Sequence, residues 1–242
     1  MSIYKKITRS RQAGKKLFAL LIDPDKFNPL AVKAAAAARA DIILLGGSRI
    51  RKGSFQRCVS AVKSLTGIPL VIFPGSHRQV SSGADALLLL SLISGRNADY
   101  LIGQHVRAAL AIKRSRTEVI PTGYMLINGA RVSATQRVTR TRPIPANHIR
   151  QAVSTALAGE LLGMKLIYLE AGSGARSTVP ARLLREVRKS ISVPLIAGGG
   201  IDSPRKAMQV LQAGADVVVV GNGAEKNISL IAEISELVHR FR

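Results

Sequence analysis

The sequence contains no tryptophan, and aromatic residues make up only 4% of its 242 residues. Proteins that bind single-stranded nucleic acid stack the bases on aromatic side chains, so this scarcity argues against a dedicated single-strand reader. Cys58 is the only cysteine, which excludes an internal disulfide. Its apolar neighbour Val59 favours a packing role for Cys58 over a nucleophilic one.

Long apolar runs are also missing, because none reaches the roughly 18 residues needed to cross a bilayer. The longest candidate, residues 84–93, is interrupted by Asp85 and Ser91. The basic N-terminus, residues 1–16, lacks the apolar core and the cleavage site of a secretory signal. We therefore expect a cytoplasmic protein.

Acidic residues are few, since 14 Asp and Glu stand against 36 Lys and Arg, for a formal net charge of +22. Such a surface predicts nonspecific attraction to nucleic acid or anionic membranes through phosphate contacts. Several acidic residues flank apolar runs, where we expect site or loop positions rather than open helix faces. These are Asp23, Asp25, Asp41, Asp85, Glu170 and Asp216.

What the sequence does contain is a regular alternation of short aliphatic runs with amphipathic stretches. Eight runs predict buried parallel strands, which need Val, Ile and Leu on both faces: residues 17–22, 42–45, 70–73, 86–90, 118–121, 166–169, 194–197 and 217–220. Helices are predicted at 29–40, 54–64, 97–116, 148–162, 180–190, 204–213 and 224–241. This rhythm predicts an α/β fold, a (β/α)8 TIM-like barrel in a single domain over residues 1–242. An open doubly wound sheet is the less favoured alternative.

The alternation of predicted strands and helices is interrupted in two places. Residues 74–85 are too few for a full helix with two loops, which predicts an irregular connection between the third and fourth strands. Residues 122–147, rich in Gly, Thr, Arg and Pro, predict a long structureless loop. A loop of that length in a compact domain usually serves as a functional cover or an interaction surface.

Three glycine-bearing turns follow the last three predicted strands. They are residues 168–174 (YLEAGSG), 198–200 (GGG) and 221–223 (GNG). A bound phosphate needs backbone N–H groups at close range, and a Cβ would hold the chain too far away. One such turn alone is equally well explained as a tight βα connection. The three together predict a phosphate site of the kind that barrels form after strands seven and eight.

Side chains with suitable chemistry follow other strands. Asp23 ends the first predicted strand and Ser48 follows the second, so their oxygens could hold Mg²⁺, although Asp23 could equally cap a loop before Pro24. Glu170, after the sixth strand, could accept a proton from a substrate hydroxyl or hydrogen-bond to it. Asp25 and Lys26 fit a supporting charge or a local pair equally well. We interpret the four histidines, His77, His105, His148 and His239, as structural or surface residues.

With these residues in place, the sequence resembles the geranylgeranylglyceryl phosphate synthase family. Two motifs are the most specific, YLEAGSGA and AGGGI. The motifs run in order over nearly the whole chain: LLIDPDK (20–26), GGS (46–48), IFPGS (72–76), IPTGYMLI (120–127), YLEAGSGA (168–175), PLIAGGGI (194–201) and VVVVGN (217–222). A Schiff-base aldolase is disfavoured, because Lys165 precedes a strand rather than following one.

The resemblance implies a Mg²⁺-dependent prenyltransferase, in which the sn-3 hydroxyl of sn-glycerol 1-phosphate attacks C1 of a prenyl diphosphate, geranylgeranyl or similar. It implies that Asp23 and Ser48 bind Mg²⁺ with the diphosphate and that Glu170 and Tyr168 are the catalytic residues. An apolar groove beside the barrel would hold the prenyl chain, and the protein would be a homo-oligomer, a dimer or a hexamer. The residues implied to bind glycerol phosphate are Tyr168, Leu169, Glu170, Ala171, Gly172, Ser173, Gly174, Gly199, Gly200, Gly221 and Asn222.

The charge departs from this family, whose surfaces are usually near neutral or acidic. Arg49 and Arg51 follow GGS, and residues 131–142 contain several further arginines. Residues 31–40 and 107–116 have a low-complexity composition that is rich in Arg and Ala. Intact motifs beside such an exterior favour an engineered, surface-rewritten synthase scaffold, although an organism with basic proteins would give the same charge. The competing interpretation is therefore an engineered assembly or nucleic-acid-binding protein on this scaffold, forming a particle larger than a hexamer.

Overall fold

Eight aliphatic runs form parallel strands that close into a barrel, with neighbours in chain order and the last strand paired to the first. The computed structural model describes residues 2–48, 50–51, 54–127 and 133–241, so Arg49 and Arg131 lie outside the described residues. The strands are β1 (Leu17–Ile22), β2 (Ile42–Leu45), β3 (Leu70–Ile72), β4 (Ala86–Leu92), β5 (Glu118–Leu126), β6 (Leu166–Glu170), β7 (Leu195–Gly198) and β8 (Val217–Val220). This confirms the predicted closed barrel and all eight strands.

Most of the predicted helices are present, two of them in altered form. The α-helices are α1 (Ile3–Gln12), α2 (Pro29–Ala37), α3 (Phe55–Leu65), α4 (Gln104–Ser115), α5 (Ala134–Thr139), α6 (Ile149–Leu161), α7 (Ala181–Ser190), α8 (Pro204–Gln212), α9 (Asn222–Lys226) and α10 (Ser229–Arg240). Helices α1 and α5 were not predicted. The predicted helix 224–241 is two helices, because the Asn227 side chain accepts the Ser229 N–H and starts α10 afresh. The first part of the predicted helix 97–116 is a π-helical turn, Asp99–Gly103.

Helix α1 was not predicted, and it closes the amino-terminal end of the barrel. Its buried residues Ile3 and Ile7 pack in the same cluster as Ala19 and other inward-facing strand residues. The Glu118 carboxylate, at the start of β5, accepts the backbone N–H of Ile3 at 2.6 Å. The Ser2 cap and the apolar pair spaced by four residues were signals for this helix that its basic composition obscured.

Residues 74–85 contain no helix, which confirms the irregular connection between β3 and β4. Gln79, buried in this connection, fixes it to the loop after β2. Its amide nitrogen donates to the Gly47 carbonyl at 2.7 Å, and its amide oxygen accepts the Gly75 N–H at 3.2 Å. Hydrogen bonds from the Gln79 side chain therefore fix this connection, in place of the packing that a helix would provide.

The prediction of a structureless loop over residues 122–147 is wrong in part. Strand β5 continues to Leu126, and α5 begins after Ser133, whose hydroxyl accepts the Gln136 N–H at 3.1 Å. Gly123 looks like a strand breaker but is required by packing, since a Cβ there would lie 2.8 Å from the Ile93 Cδ1 atom. The pattern Ser133-x-x-Gln136 is a helix-start signal that was available in the sequence.

Three of the acidic residues that flank strands lie at the amino-terminal end of the barrel, away from the glycine turns. Asp41, Asp85 and Asp216 precede β2, β4 and β8, and each accepts a backbone N–H from the start of a neighbouring strand. Asp216 also pairs with the guanidinium of Arg188 at 2.9 Å and the ammonium of Lys16 at 3.4 Å. These carboxylates hold strand ends in register and do not belong to the site.

None of the helices in the described part of the chain combines the length and apolarity needed to cross a membrane. The predicted cytoplasmic location stays a prediction.

Cys58 is buried in α3, and burial raises the pKa of its thiol to about 11, which confirms its packing role.

Candidate active site

A polar cleft of about 630 Å³ opens at the carboxyl ends of the strands. This is the end of a barrel at which enzymes of this fold place their sites, because eight loops converge there. The predicted site residues that line the cleft are Asp23, Ser48, Tyr168, Glu170, Ser173, Gly174, Gly199, Gly200, Gly221 and Asn222. The folded chain therefore brings together residues from five strands.

Glu170 ends β6 and is buried, with 6% of its surface exposed. Its Oε1 atom accepts the backbone N–H of Gly172 at 2.7 Å. Burial raises the pKa of Glu170 from 4.5 to about 7, against the opposing effects of that N–H and of the Tyr168 hydroxyl. A carboxyl group that exchanges its proton near neutral pH is suited to general acid–base chemistry.

Tyr168 lies two residues before Glu170 and points into the same space, because alternate residues of a strand share a face. Its ring centroid lies 5.3 Å from that of Phe73 and 5.4 Å from that of Tyr124. Burial, and then the charge of Glu170, raise the pKa of Tyr168 well above 10.0, so the phenol stays neutral. Its hydroxyl lies close enough to influence Glu170 but makes no hydrogen bond of good geometry to a described residue. A buried donor without a partner is unusual in a folded protein, and a ligand oxygen in the cleft would supply one.

The glycines at the carboxyl end of β7 leave space for these two side chains. A Cβ on Gly198 would lie 2.3 Å from the Tyr168 hydroxyl, and a Cβ on Gly199 would lie 2.3 Å from Glu170 Oε1. Gly199 also has a φ of 82°, a left-handed conformation that residues with a Cβ rarely adopt. The glycine turn therefore shapes the carboxylate site as well as exposing backbone N–H groups to the cleft.

Asp23 and Ser48 lie in adjacent loops, as the sequence predicted. The Asp23 carboxylate packs against Gly47, where a Cβ would lie 3.0 Å from Oδ1. Burial raises the pKa of Asp23, and the Asp25 N–H, which donates to Oδ1 at 3.0 Å, opposes this. The described residues contain no group of three His, Cys, Asp or Glu that could hold a metal. One desolvated carboxylate with one hydroxyl nevertheless fits Mg²⁺, which takes few protein ligands and completes its shell with water and substrate phosphates.

The sequence interpretation did not predict a series of hydrogen bonds that joins the loops around the opening of the polar cleft. Lys26 pairs with Glu225 at 2.8 Å, Glu225 accepts the Asn222 amide at 3.0 Å, and Asn222 accepts the Ser173 hydroxyl at 2.8 Å. Asp25, whose role was left open, accepts the backbone N–H of Arg51 at 2.8 Å. Two of these bonds, Lys26–Glu225 and Ser173–Asn222, join loops far apart in the chain, so no local pattern could have revealed them.

An apolar groove opens from the polar cleft, between β3, β4 and α4. Aliphatic and aromatic side chains dominate its walls, among them Leu87, Leu89 and Ile112. His77 and His105 line it as well, and each is hydrogen-bonded, to Gln104 Oε1 at 3.0 Å and to the Leu90 carbonyl at 2.9 Å. The residues that border both the cleft and the groove, the junction residues, are Gly47, Ser48, Phe73, Tyr124, Thr135 and Val138.

Three of the residues implied for glycerol phosphate do not line the cleft. Leu169 faces away from the barrel interior and packs in the outer core, since its neighbours Tyr168 and Glu170 face inwards. Ala171 donates its N–H to the Gly198 carbonyl at 3.0 Å. Gly172 donates its N–H to Glu170, so that group is not available to a phosphate.

The chain is a (β/α)8 barrel with a glycine-lined polar cleft at the carboxyl ends of its strands, the end at which barrels of this class bind phosphate groups. The model of the PcrB family matches residues 6–238, and the chain belongs to this family. This confirms the predicted family, because its relatives carry the synthase name. A geranylgeranylglyceryl phosphate synthase from Chitinophaga pinensis is 48% identical over 242 residues, covering 98% of this chain and 96% of the relative.

Relatives and solved structures extend across bacteria and archaea. A geranylgeranylglyceryl phosphate synthase from Korarchaeum cryptofilum is 37% identical over 233 residues, covering 95% of this chain and 96% of the relative. The crystal structure of (S)-3-O-geranylgeranylglyceryl phosphate synthase from Thermoplasma acidophilum, in complex with substrate sn-glycerol-1-phosphate, matches with a TM-score of 0.91. That protein is 31% identical, and the match covers 99% of both chains.

Proposed function

We propose that the chain is a prenyltransferase that joins sn-glycerol 1-phosphate to a prenyl diphosphate, geranylgeranyl diphosphate or one of similar length, through an ether bond. The observation that carries the proposal is the position of Glu170. This buried carboxyl lines the polar cleft beside Tyr168, whose ring contacts the junction residues Phe73 and Tyr124. The names of the relatives, 48% and 37% identical over nearly the whole chain, support the activity.

Glycerol phosphate would bind at the glycine turns. The turns after β7 and β8 line the cleft, and Gly199, Gly200 and Gly221 have no Cβ to keep a phosphate away from their backbone. The amide of Asn222 is already hydrogen-bonded to Glu225 and Ser173, so the backbone of Asn222 rather than its side chain would meet the phosphate. The substrate named in the Thermoplasma acidophilum complex supports this choice of ligand.

In the proposed reaction one C–O bond forms and one breaks. The sn-3 oxygen of glycerol phosphate attacks C1 of the prenyl group, and the C1–O bond to the diphosphate breaks with both electrons leaving on oxygen. The hydroxyl proton passes to Glu170, whose pKa of about 7 allows it to be ionised before attack and protonated after it. Tyr168, neutral at this pH, would donate a hydrogen bond that orients the carboxylate or the substrate.

Asp23 and Ser48 would hold Mg²⁺ together with the diphosphate oxygens. When bound there, the cation would neutralise the negative charge that accumulates on the leaving diphosphate. Asp23 is partly desolvated, and its raised pKa indicates that a nearby positive charge would stabilise the ionised carboxylate. Gln79 supports this site indirectly, because it fixes the loop that carries Gly47 and Ser48.

The prenyl chain would lie in the apolar groove. The groove begins at the junction residues and continues between β4 and α4, so a chain whose C1 lies beside Glu170 has an apolar path away from water. Burying each methylene there contributes about 0.8 kcal/mol. The allylic end would thus be held in a site where water has little access.

Homo-oligomer formation, as a dimer or a hexamer, is also part of this proposal. Ile102, Val106 and Leu110 lie four residues apart along α4 and its preceding turn, and they are 57%, 68% and 72% exposed. Three large apolar side chains on one helix face are typical of a surface that is covered in an assembly. The groove wall is formed by the opposite face of the same helix.

The direct test is an assay of ether formation. The protein is incubated with Mg²⁺, sn-glycerol 1-phosphate and prenyl diphosphates of several lengths, with sn-glycerol 3-phosphate as the control substrate. We expect a prenylglyceryl phosphate and diphosphate in equal amounts, and loss of about 100-fold or more in turnover for Asp23→Asn. Glu236→Gln, the same loss of charge at an exposed position of α10, should remain active. Absence of product with every chain length would overturn the proposal.

A further inference from the structure

Helix α5 lies over the point where the polar cleft opens into the apolar groove, and it presents different side chains to each. Thr135 and Val138 border both spaces, and Thr139 lines the groove alone. Arg137 and Arg140 line the polar cleft and not the groove. The two guanidinium groups therefore belong to the polar side of the junction.

Contacts at both ends fix α5 to the top of the barrel. At its start, Ser133 packs against Gly172, where a Cβ would lie 2.8 Å from the Ser133 Cβ atom. At its end, the Asn97 amide donates to the Thr139 carbonyl at 2.8 Å and the Tyr100 hydroxyl donates to the Val138 carbonyl at 3.4 Å. The backbone that carries the two arginines is thus positioned by the barrel.

In the described part of the chain, no carboxylate balances the charges of Arg137 and Arg140. Lys26 and Lys206, at the same end of the barrel, are paired with Glu225 and Asp202, whereas the described residues give no ion pair to Arg51 and Lys226, which also line the cleft. Within the described residues, no ion pair joins Arg137 or Arg140 to an acidic side chain. Two unpaired guanidinium groups on one wall of a cleft are suited to an anion with several oxygens.

We propose that Arg137 and Arg140 form a diphosphate clamp, which binds the diphosphate of the prenyl substrate from the side opposite Asp23 and Ser48. The inference rests on the proposed function, to which it adds the residues that hold the leaving group. With the prenyl chain in the groove below Thr135 and Val138, the diphosphate must emerge on the polar side of the junction, where the two arginines lie.

Arginine suits this position for two reasons. Its planar guanidinium forms paired hydrogen bonds with phosphate oxygens and stays charged at every physiological pH. It would also stabilise the negative charge that grows on the diphosphate oxygen as the C1–O bond breaks. The clamp therefore assigns a function to part of the arginine-rich segment 131–142 that the sequence interpretation attributed to surface charge.

The test measures diphosphate binding and turnover in parallel. The double variant Arg137→Gln/Arg140→Gln is compared with Arg142→Gln/Arg150→Gln, which removes two exposed charges that do not line the cleft. Calorimetry with inorganic diphosphate and Mg²⁺ gives the affinity, and steady-state kinetics give KM for each substrate. We expect the clamp variant to bind diphosphate about tenfold or more weakly and to raise KM for the prenyl diphosphate. KM for glycerol 1-phosphate should stay within about twofold, and the control variant should match the wild type.

Failure of the clamp and failure of the proposed function give different results. If ether forms but the clamp variant keeps its diphosphate affinity and its KM, the clamp is wrong and the prenyltransferase stands. If no ether forms, yet diphosphate binding depends on Arg137 and Arg140, the anion site stands and the proposed reaction is wrong. Equal losses in the two double variants would mean that only overall charge matters, and would overturn the clamp. Thermal unfolding of both variants verifies that they are folded.

Discussion

Gly199 lies against the buried carboxyl of Glu170 across two neighbouring strand ends, since a Cβ on Gly199 would lie 2.3 Å from Glu170 Oε1. The absence of a side chain on one residue thus sets the position of the acid–base group on the other. Displacement of a reacting group by about 1 Å can cost 100-fold in rate, so under the proposed function the two positions would be coupled in catalysis as well as in space.

Gly199→Ala should lower turnover by about 100-fold or more, because the new methyl group displaces the Glu170 carboxylate. The left-handed backbone at this position should add a cost of about 1 kcal/mol in stability. Gly14→Ala is the matched control, with a φ of 70° and no atom within 4 Å of the added Cβ. It should lose only the backbone cost and keep its turnover, whereas Gly199→Ala loses further stability because its Cβ would lie 2.8 Å from Gly172 N. Equal activities of the two variants would show that the contact with Glu170 has no catalytic importance.

Glu170→Gln should change the pH dependence of stability. The pKa of Glu170 is raised in the folded protein from 4.5 to about 7, so the native state binds the proton more tightly than the unfolded chain does. Its contribution is therefore fully present below pH 4.5 and is lost as the pH rises through 7. By pH 8 the ionised carboxyl costs on the order of 3 kcal/mol, which glutamine avoids.

Urea unfolding of both proteins at pH 5 and pH 8 measures this difference. We expect Glu170→Gln to gain stability relative to the wild type between the two pH values. Comparing the two proteins at each pH cancels the titration of all other groups. A difference that does not change with pH would mean that Glu170 is not held in a desolvated site.

Replacing the apolar face of α4 should change the size of the particle. Val106→Glu/Leu110→Glu places two charges in the surface that we propose to be covered in a homo-oligomer, and we expect a smaller particle by light scattering. Leu30→Glu, at a residue of α2 that is 62% exposed, is the control and should leave the mass unchanged. A wild-type monomer, or a double variant of unchanged mass, would contradict this surface.

The +22 charge predicts nonspecific nucleic-acid binding that weakens steeply with salt. In a titration series, log affinity should fall linearly with log salt, with a slope set by the number of phosphates that are neutralised. Ether formation should vary much less over the same range, because its contacts lie inside the barrel mouth. Tight, salt-sensitive binding by a particle larger than a hexamer, without turnover, would favour the competing interpretation of an engineered assembly.

The sequence predicted the barrel because each strand carries its own signal. Runs such as Val217–Val220 are aliphatic on both faces, and the glycines that follow them mark the carboxyl ends. The short connection at residues 74–85 was predicted from length alone. Such features depend on neighbouring residues in the chain, so no knowledge of distant contacts was needed.

The parts that the sequence missed depend on contacts between distant segments. Gln79 gains its role only because the loop after β2 lies beside it, and Glu225 only because Lys26 and Asn222 converge on it. Strand β5 contains Pro121 and Gly123, two residue types that usually interrupt strands. Gly123 is needed there because a Cβ at this position would clash with Ile93. The pKa of Glu170 follows from burial that no spacing of residues reveals.

The pH profile of kcat/KM for ether formation is the most direct test of the proposal that Glu170 accepts the proton of the attacking hydroxyl. Because the pKa of this carboxyl is about 7, kcat/KM should rise about tenfold per pH unit below 7 and level off above it. Glu170→Gln should be slower by about 100-fold or more and should lose the part of that rise that Glu170 causes, which leaves only the titration of the substrate phosphate that both proteins share. A Glu170→Gln enzyme with the rate and pH profile of the wild type would contradict the account.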